Sequence, residues 1–288
     1  MSENNTDKEA DTIPGLKKGN RKTISDFYID DNIEIQSEEK QEFKYKVFVR
    51  LYAKNRKFKK ISFQHSIFDN CSLTHCSFDS CDFTGCKFIS SNLNQTSFSG
   101  CNFEFVTFER SQIDDDIFSE APKKENLKMR FARSLRMNYQ QTGDAKAVNK
   151  AISLELEATS LYLLRSWKSD ETYYKTKYPG LLNGTIQFVK WLEFRTLEFI
   201  WGNGESILKL LRSMLISILL IAVYDTNTKG GLINVGFHLD SLETALSSFL
   251  GVSHPTNFSN NIISLITGVR FVAISLLTAL LVKRFSRR

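Results

Sequence analysis

The sequence predicts a mixed fold of two parts, a short repeat solenoid followed by α-helices, of which two are long enough to cross a membrane. The first observation is a large apolar residue at every fifth position from Phe58 to Phe118. The second is a pair of long apolar runs in the last third of the chain. The third is an excess of basic residues around those runs.

The repeat has a period of five residues, which fits neither the 3.6-residue period of an α-helix nor the two-residue period of a strand. A short fixed period is typical of a solenoid, whose stacked coils bury one residue type. Small residues stand two positions before most of the large ones. The predicted repeat core consists of Phe63, Phe68, Leu73, Phe78, Phe83, Phe88, Leu93, Phe98, Phe103, Phe108, Ile113 and Phe118.

The motif Ser/Cys/Thr-x-Phe-x-x over residues 56–120 resembles the pentapeptide-repeat proteins. The resemblance implies a right-handed quadrilateral β-helix, with one pentapeptide on each side and about three coils. An interior too narrow for two large residues on one side also requires the observed alternation of large and small residues. Because a short stack needs caps at both ends, we expect residues 41–55 and a helix after Pro122 to supply them.

All five cysteines lie in the repeat, and Cys71, Cys76, Cys81 and Cys86 would occupy the four sides of one coil. A metal or redox site is one interpretation. The favoured one is that cysteine is a small apolar residue that fills a corner, since no thiolate-stabilising charge stands nearby. We therefore expect no metal and no cofactor. The odd number of thiols fits a reducing compartment.

Composition divides the chain into four segments. Residues 1–40 are polar and predict a disordered cytoplasmic lead without a signal peptide. The capped β-helix is expected over 41–120, a helical linker and hairpin over 121–205, and a membrane domain over 206–288.

Charge differs sharply between the repeat and the rest. Residues 61–120 contain 2 basic and 9 acidic groups, whereas residues 121–288 contain 22 and 12. A basic second half predicts an anionic partner, and the apolar runs favour membrane lipid over nucleic acid.

Two helices are predicted between the repeat and the apolar runs. Asn126–Gln141 and Asp144–Trp167 have helical apolar spacing, and the short joint between them predicts an antiparallel hairpin. Residues 168–184 are expected to form a linker. Thr185–Trp201 is rich in aromatic residues, which predicts a helix at a membrane interface or, as the alternative, a buried soluble helix.

The apolar runs Ile207–Tyr224 and Ile262–Val282 are each long enough to span about 30 Å of hydrocarbon. Basic residues exceed acidic ones by 16 to 9 over residues 121–212, and four more basic residues follow the second run. The loop between the runs has Lys229 as its only lysine or arginine. The positive-inside rule therefore places both termini in the cytoplasm, with the chain in a bacterial inner membrane. Two buried helices of a soluble domain are the alternative, which leaves the basic flanks unexplained.

The loop between the runs predicts a further helix, Leu242–Leu250, which is too short to span and begins after a capping pair, Asp240–Ser241. A span, a short helix, a turn and a second span resemble the two-transmembrane pore domain of potassium-type channels. The segment Trp201–Ser206 resembles the one that precedes the first span in proteins joining pentapeptide repeats to such a domain.

In that channel family a Thr-x-Gly-Tyr-Gly filter follows the short helix and binds potassium through its carbonyls. Here Ser253 stands in place of the second glycine and Val252 in place of the tyrosine. The resemblance thus implies a pore-like domain and a homo-tetramer, without potassium selectivity. The pore candidates are Ser247, Ser248, Gly251, Val252, Ser253 and His254.

Arg270 is a charged residue inside the second apolar run. Charge at that depth is costly and usually faces a partner or a water path. An interfacial arginine near a helix end is the alternative.

Three functions follow. The first is an oligomeric membrane pore with a cytoplasmic repeat domain for sensing or assembly, and a membrane-depolarising effector is one setting for it. The alternative is a non-conducting membrane-anchored scaffold whose repeat binds a protein partner. A repeat that mimics DNA is disfavoured by its modest charge of −7 and by the apolar runs. No catalytic or phosphate-binding motif predicts an enzyme.

Overall fold

The computed structural model describes residues 21–34, 43–229, 235–253, 255 and 257–286, the side chains of 235–238 and 286 excepted. The chain divides into two compact units, Met1–Tyr162 and Leu163–Arg288. The first unit is a β-solenoid followed by helices. The described part of the second unit is helical.

Short parallel strands build the solenoid, each pairing with the strand one coil away. The strands are β1 Lys22–Ser25, β2 Tyr28–Ile29, β3 Ile33–Glu34, β4 Lys46–Val49, β5 Tyr52–Lys54, β6 Lys57–Lys59, β7 Ile67–Asp69, β8 Ser72–Thr74, β9 Ser77–Asp79, β10 Lys87–Ile89, β11 Asn92–Leu93, β12 Ser97–Ser99, β13 Thr107–Glu109 and β14 Gln112–Ile113.

These strands form three sheets, with orders β1-β4-β7-β10-β13, β2-β5-β8-β11-β14 and β3-β6-β9-β12. Single bridges that join Ser62, Asp82 and Asn102 mark the fourth side. The solenoid has about 4 turns rather than the three expected from the sequence.

The first coil precedes the residues that show the five-residue period. β1 pairs with β4 from Lys22 opposite Lys46 to Ser25 opposite Val49. The expectation of a disordered lead is therefore wrong for residues 22–34, while residues 1–20 and 35–40 lie outside the described part. The expectation that residues 41–55 form a cap is also wrong, because β4 and β5 are paired on both sides. The five-residue period does not reveal this coil, because Ile33 follows Ile29 after four residues and the first coil has more residues than the next one.

Corners recur at every fifth residue. From Tyr45 to Arg110 each fifth residue has a positive φ, including Gly85 and Gly100. This left-handed backbone turns the chain from one side to the next. At Gly85 a Cβ would lie 2.8 Å from Cε1 of the exposed His65 ring, so a larger residue there would have to displace that ring. No single residue type marks these corners, so the sequence pattern does not reveal them.

Stacked phenylalanines fill the solenoid. Phe83 is fully buried, and its ring lies 5.2 Å from those of Phe63 and Phe103, with interplanar angles of 10° and 9°. Most of the predicted repeat core is buried, and Phe98 and Phe118 are half-buried. Identical rings stack because each coil places the same position directly above the last.

Two helices follow the last coil, α1 at Glu125–Thr142 and α2 at Ala145–Lys168. The apolar face of α1 is buried, with Leu127, Phe131 and Leu135 at 4% exposure or less. Gly143 ends α1 with a left-handed φ of 79°, and the Asp144 carboxylate accepts a hydrogen bond from the Ala147 N–H at 2.9 Å. Arg133 and Arg136 of α1 pair with Glu155 of α2 at 2.9 and 3.0 Å, and the antiparallel hairpin stays a prediction.

The second unit contains α3 Thr172–Lys177, α4 Gly180–Trp201, α5 Ile207–Thr228, α6 Val235–Leu250 and α7 Asn260–Ser286. The expected linker over 168–184 is partly helical, because α3 and the first turn of α4 lie there. Helix α6 begins before Asp240–Ser241, so the expectation that this pair caps the helix is wrong. Apolar residues precede the pair, and the helix continues through them.

Helices α5 and α7 are long and apolar enough to cross a membrane. Only 11% and 17% of their apolar windows are buried within the chain. A core helix of a soluble protein would be mostly buried, so these surfaces need cover from outside the single chain.

Candidate functional site

The small residue of each repeat does more than fill a corner. The hydroxyl of Ser91 donates to the Phe68 carbonyl of the coil before it at 3.2 Å, and the thiol of Cys86 donates to the Phe63 carbonyl at 2.9 Å. Cys71 and Cys76 make the same contact with the preceding coil at 3.4 and 3.5 Å. The repeat therefore selects residues that are both small and able to donate. Size alone does not explain this preference.

The cysteines have the environment of structural residues. All five are buried free thiols. Burial raises the pKa of Cys71 to about 11 and that of Cys86 to about 12, so both are neutral at pH 7. Among the described residues no group of three His, Cys, Asp or Glu side chains could hold a metal ion.

The turn Trp201–Ser206 is tied to the far end of the chain. It contains three successive positive-φ residues, Gly202, Asn203 and Gly204. The ammonium of Lys283, near the end of α7, donates to the Gly204 carbonyl at 2.8 Å and pairs with the carboxylate of Glu205. The start of α5 and the end of α7 thus lie side by side.

The opposite end of α5 holds a buried acid that the sequence analysis did not single out. The side chain of Asp225 is fully buried and pairs with Lys229 at 2.6 Å. Asn257, which lies between α6 and α7, donates to Asp225 at 2.8 Å and to the hydroxyl of Thr228 at 3.0 Å. A lone aspartate at the end of an apolar run was the available signal.

The turn after α6 meets Arg270. Gly251 has a φ of 78°, and a Cβ built on it would overlap Nη1 of Arg270 and lie 2.7 Å from its Cζ. The N–H of Gly251 donates to the Ser248 carbonyl at 3.1 Å and that of Val252 to the Ser247 carbonyl at 2.8 Å. These bonds form a glycine helix cap.

The structure brings the predicted pore residues together only in part. Ser247 is half-buried, and Ser248 is buried. Gly251, Val252 and Ser253 are exposed, Val252 at 78%. His254 lies outside the described residues. The role of all six as pore residues stays a prediction.

Arg270 is half-buried, with its guanidinium 5.2 Å from the centre of the Phe271 ring. It has no carboxylate partner among the residues that the structure describes. Its charge therefore lies against the Gly251 turn without an opposite charge from any residue in the described ranges beside it.

These features define the first unit as a β-solenoid followed by helices and the second as a helical unit with two helices long and apolar enough to span a membrane. Residues 52–118 match a family described as "Pentapeptide repeat region".

Among solved structures, the chain is similar to a pentapeptide repeat protein from the thylakoid lumen of Arabidopsis thaliana. The two are 19% identical, with a TM-score of 0.14, over 28% of this chain and 63% of that one. The chain thus covers less than two thirds of that protein. No curated protein matches the chain.

Proposed function

We propose that several copies of this protein form a membrane pore through α5, α6 and α7, with the solenoid and the α1–α2 hairpin as a domain for assembly or sensing. The observation that carries the proposal is the contact between the Gly251 turn and Arg270. It supports a short helix that enters the membrane and returns on the same side.

The depth follows from helix geometry. Arg270 lies ten residues after the start of α7, which is about 15 Å along its axis and about half of a 30 Å hydrocarbon layer. Helix α6 ends beside it, and the chain then returns to Asn257, which contacts the end of α5. The 16 residues of α6 are about 24 Å long, too short to cross.

Re-entrant backbone is tolerated in a membrane only where protein or water covers it. In one copy, Gly251, Val252 and Ser253 are exposed, as are most of the apolar surfaces of α5 and α7. Further copies would cover these surfaces and enclose a water path. A homo-tetramer is the arrangement that the resemblance to two-transmembrane pore domains implies.

Arg270 would then lie beside the pore at mid-depth. Its unpaired positive charge would favour anions and hinder cations. A potassium filter has tyrosine and glycine where this chain has Val252 and Ser253. This difference supports a pore that does not select potassium.

The placement in the membrane is part of the proposal. The start of α5 and the end of α7 lie side by side, because Lys283 contacts the turn before α5. This shared end carries four basic residues, Lys209, Arg212, Lys283 and Arg284. The positive-inside rule puts this end, and both termini, in the cytoplasm of a bacterium. An effector that depolarises the inner membrane is the setting we propose, by analogy alone.

The proposal is tested by inducing the full-length protein in bacteria and recording growth and membrane potential. Wild type is expected to depolarise the cells, and Gly251→Val to lose this effect, because the valine displaces Arg270 and strains the turn. Gly180→Val is the matched control, since Gly180 has a φ of 81° in the same unit and open space around it. A wild type that inserts without depolarising cells would favour the tethered scaffold instead. Equal effects of both valines would also contradict the proposed role of the turn.

A further inference from the structure

A basic cavity lies where α4 meets the first turns of α5. Its volume is about 340 Å³, and it is lined by Arg195, Glu198, Phe199, Lys209 and Arg212. Three cations against one carboxylate leave the cavity with a net charge of +2. It is separate from the Gly251 turn, which lies on other elements of the same unit.

Contacts hold the basic groups in place around the cavity. The Arg212 guanidinium donates to the Phe199 carbonyl, and its Cζ lies 4.4 Å from the centre of the Phe199 ring. Glu198 pairs with Arg195 at 2.7 Å and with Lys209 at 3.7 Å. Glu198 thus positions two cations and neutralises only one of them.

Arg212 keeps most of its donors for a ligand. A guanidinium has five N–H donors in a planar fork that matches the oxygens of a phosphate. In the described hydrogen bonds, Arg212 uses one of these donors, which it gives to the Phe199 carbonyl. The side chain is exposed, so the remaining donors are accessible.

The cavity lies at the edge of an apolar surface. Leu208, Leu211 and Leu215, on the same turns of α5, are 79%, 45% and 56% exposed. A phosphate that carries acyl chains would place its charge on the arginines and its chains along these leucines. A free phosphate ion would use the charges alone.

We propose that this cavity binds the phosphate of an anionic phospholipid headgroup. The proposal rests on the membrane placement of α5 and not on conduction. A net charge of +2 favours a headgroup with net negative charge over a zwitterionic one, whose own ammonium would be repelled. The bound lipid would fix the junction of α4 and α5 at the membrane surface.

The test measures the thermal unfolding of the full-length protein in detergent against added phosphatidylglycerol, phosphatidylcholine or inorganic phosphate. Tryptophan fluorescence is the readout, because all three tryptophans, Trp167, Trp191 and Trp201, belong to the helical unit. Phosphatidylglycerol is expected to stabilise wild type at lower concentration than phosphatidylcholine does. Arg212→Gln is expected to weaken the apparent affinity for phosphatidylglycerol about tenfold, the effect of losing one charge-assisted interaction.

Lys190→Gln is the matched control, since it removes one positive charge from α4 at an exposed position outside the cavity. It is expected to keep the wild-type affinity. Arg212→Lys retains the charge without the planar fork and is expected to fall between wild type and Arg212→Gln, which keeps the test usable if the glutamine variant misfolds.

Three results would overturn the proposal. These are an equal response to both lipids, an equal loss in Lys190→Gln and Arg212→Gln, or a response to inorganic phosphate as strong as that to phosphatidylglycerol. The last would identify a soluble phosphate as the ligand. Because lipid binding is measured without currents, failure here is distinguishable from failure of the pore proposal.

Discussion

Asn138 is the residue through which α1 closes the open end of the solenoid. It is fully buried, accepts a hydrogen bond from the Ser111 N–H at 2.8 Å and donates to the Ser111 carbonyl at 2.7 Å. The next coil would normally satisfy these backbone groups. Ser134 and Gln141, on the same face of α1, accept from the N–H groups of Phe108 and Arg110. Side chains of a helix thus replace the hydrogen-bonding groups that a further coil would supply.

Asn138→Ala leaves both backbone groups of Ser111 buried without a partner. Each unsatisfied group costs about 1 to 3 kcal/mol, so we expect a loss of about 2 to 6 kcal/mol in the free energy of unfolding of the solenoid. Gln141→Ala is the matched control. Its contact is exposed, water can replace it, and the loss should stay below about 1 kcal/mol.

The assay is denaturant unfolding of the full-length protein in detergent. Labelling of the five buried cysteine thiols follows the unfolding of the solenoid strands, and tryptophan fluorescence follows the helical unit, where all three tryptophans lie. Asn138→Ala should move the strand transition and leave the fluorescence transition in place. A loss no larger than that of Gln141→Ala would refute the account of α1 as a cap.

Two further predictions concern the solenoid interior. Phe83→Ala removes a fully buried ring that stacks on a phenylalanine on both sides, and it should lower the free energy of unfolding by about 3 to 5 kcal/mol in denaturant unfolding. Phe98→Ala, at a half-buried position, should cost clearly less. Equal losses in the two variants would contradict the stacking described here. Alkaline pH should also destabilise the solenoid. Burial raises the pKa of Cys71 from 9.0 to about 11 in the folded state, so its contribution is complete below pH 9 and falls by about 2 to 3 kcal/mol as pH rises to 11. Unfolding of wild type between pH 8 and 11 measures this, with Cys71→Ser as the variant whose alkaline loss should be smaller, and a pH-independent stability would contradict it.

The repeat was predictable because one side chain performs the same task in every coil. The Phe63, Phe83 and Phe103 stack repeats at a fixed spacing, and spacing is what a sequence displays. The first coil escaped prediction because its distance to the next coil differs: Ile24 and its partner Phe48 are 24 residues apart, whereas Phe48 and its partner Phe68 are 20 residues apart. The corners could not be predicted from the sequence either, because His65, Ser80 and Arg110 share a positive φ but not a residue type.

The helical unit was predictable in its elements and less so in its contacts. Apolar runs predict the lengths of α5 and α7, which extend a few residues beyond those runs. The contact of Gly251 with Arg270 joins positions far apart in sequence, and no local pattern predicts it. The same holds for Lys283 with Glu205 and for Asn257 with Asp225. Such pairs arise from packing and not from neighbouring residues.

Single-channel recording on the purified full-length protein in planar bilayers, with the size of the detergent-solubilised particle determined on the same preparation, tests the pore proposal most directly. We predict discrete currents from a particle of several copies, and a shift of the reversal potential in a salt gradient toward cation preference when Arg270 is replaced by glutamine. A silent monomer would contradict the proposal, and currents with unchanged ion preference in Arg270→Gln would contradict the place given to Arg270 beside the pore.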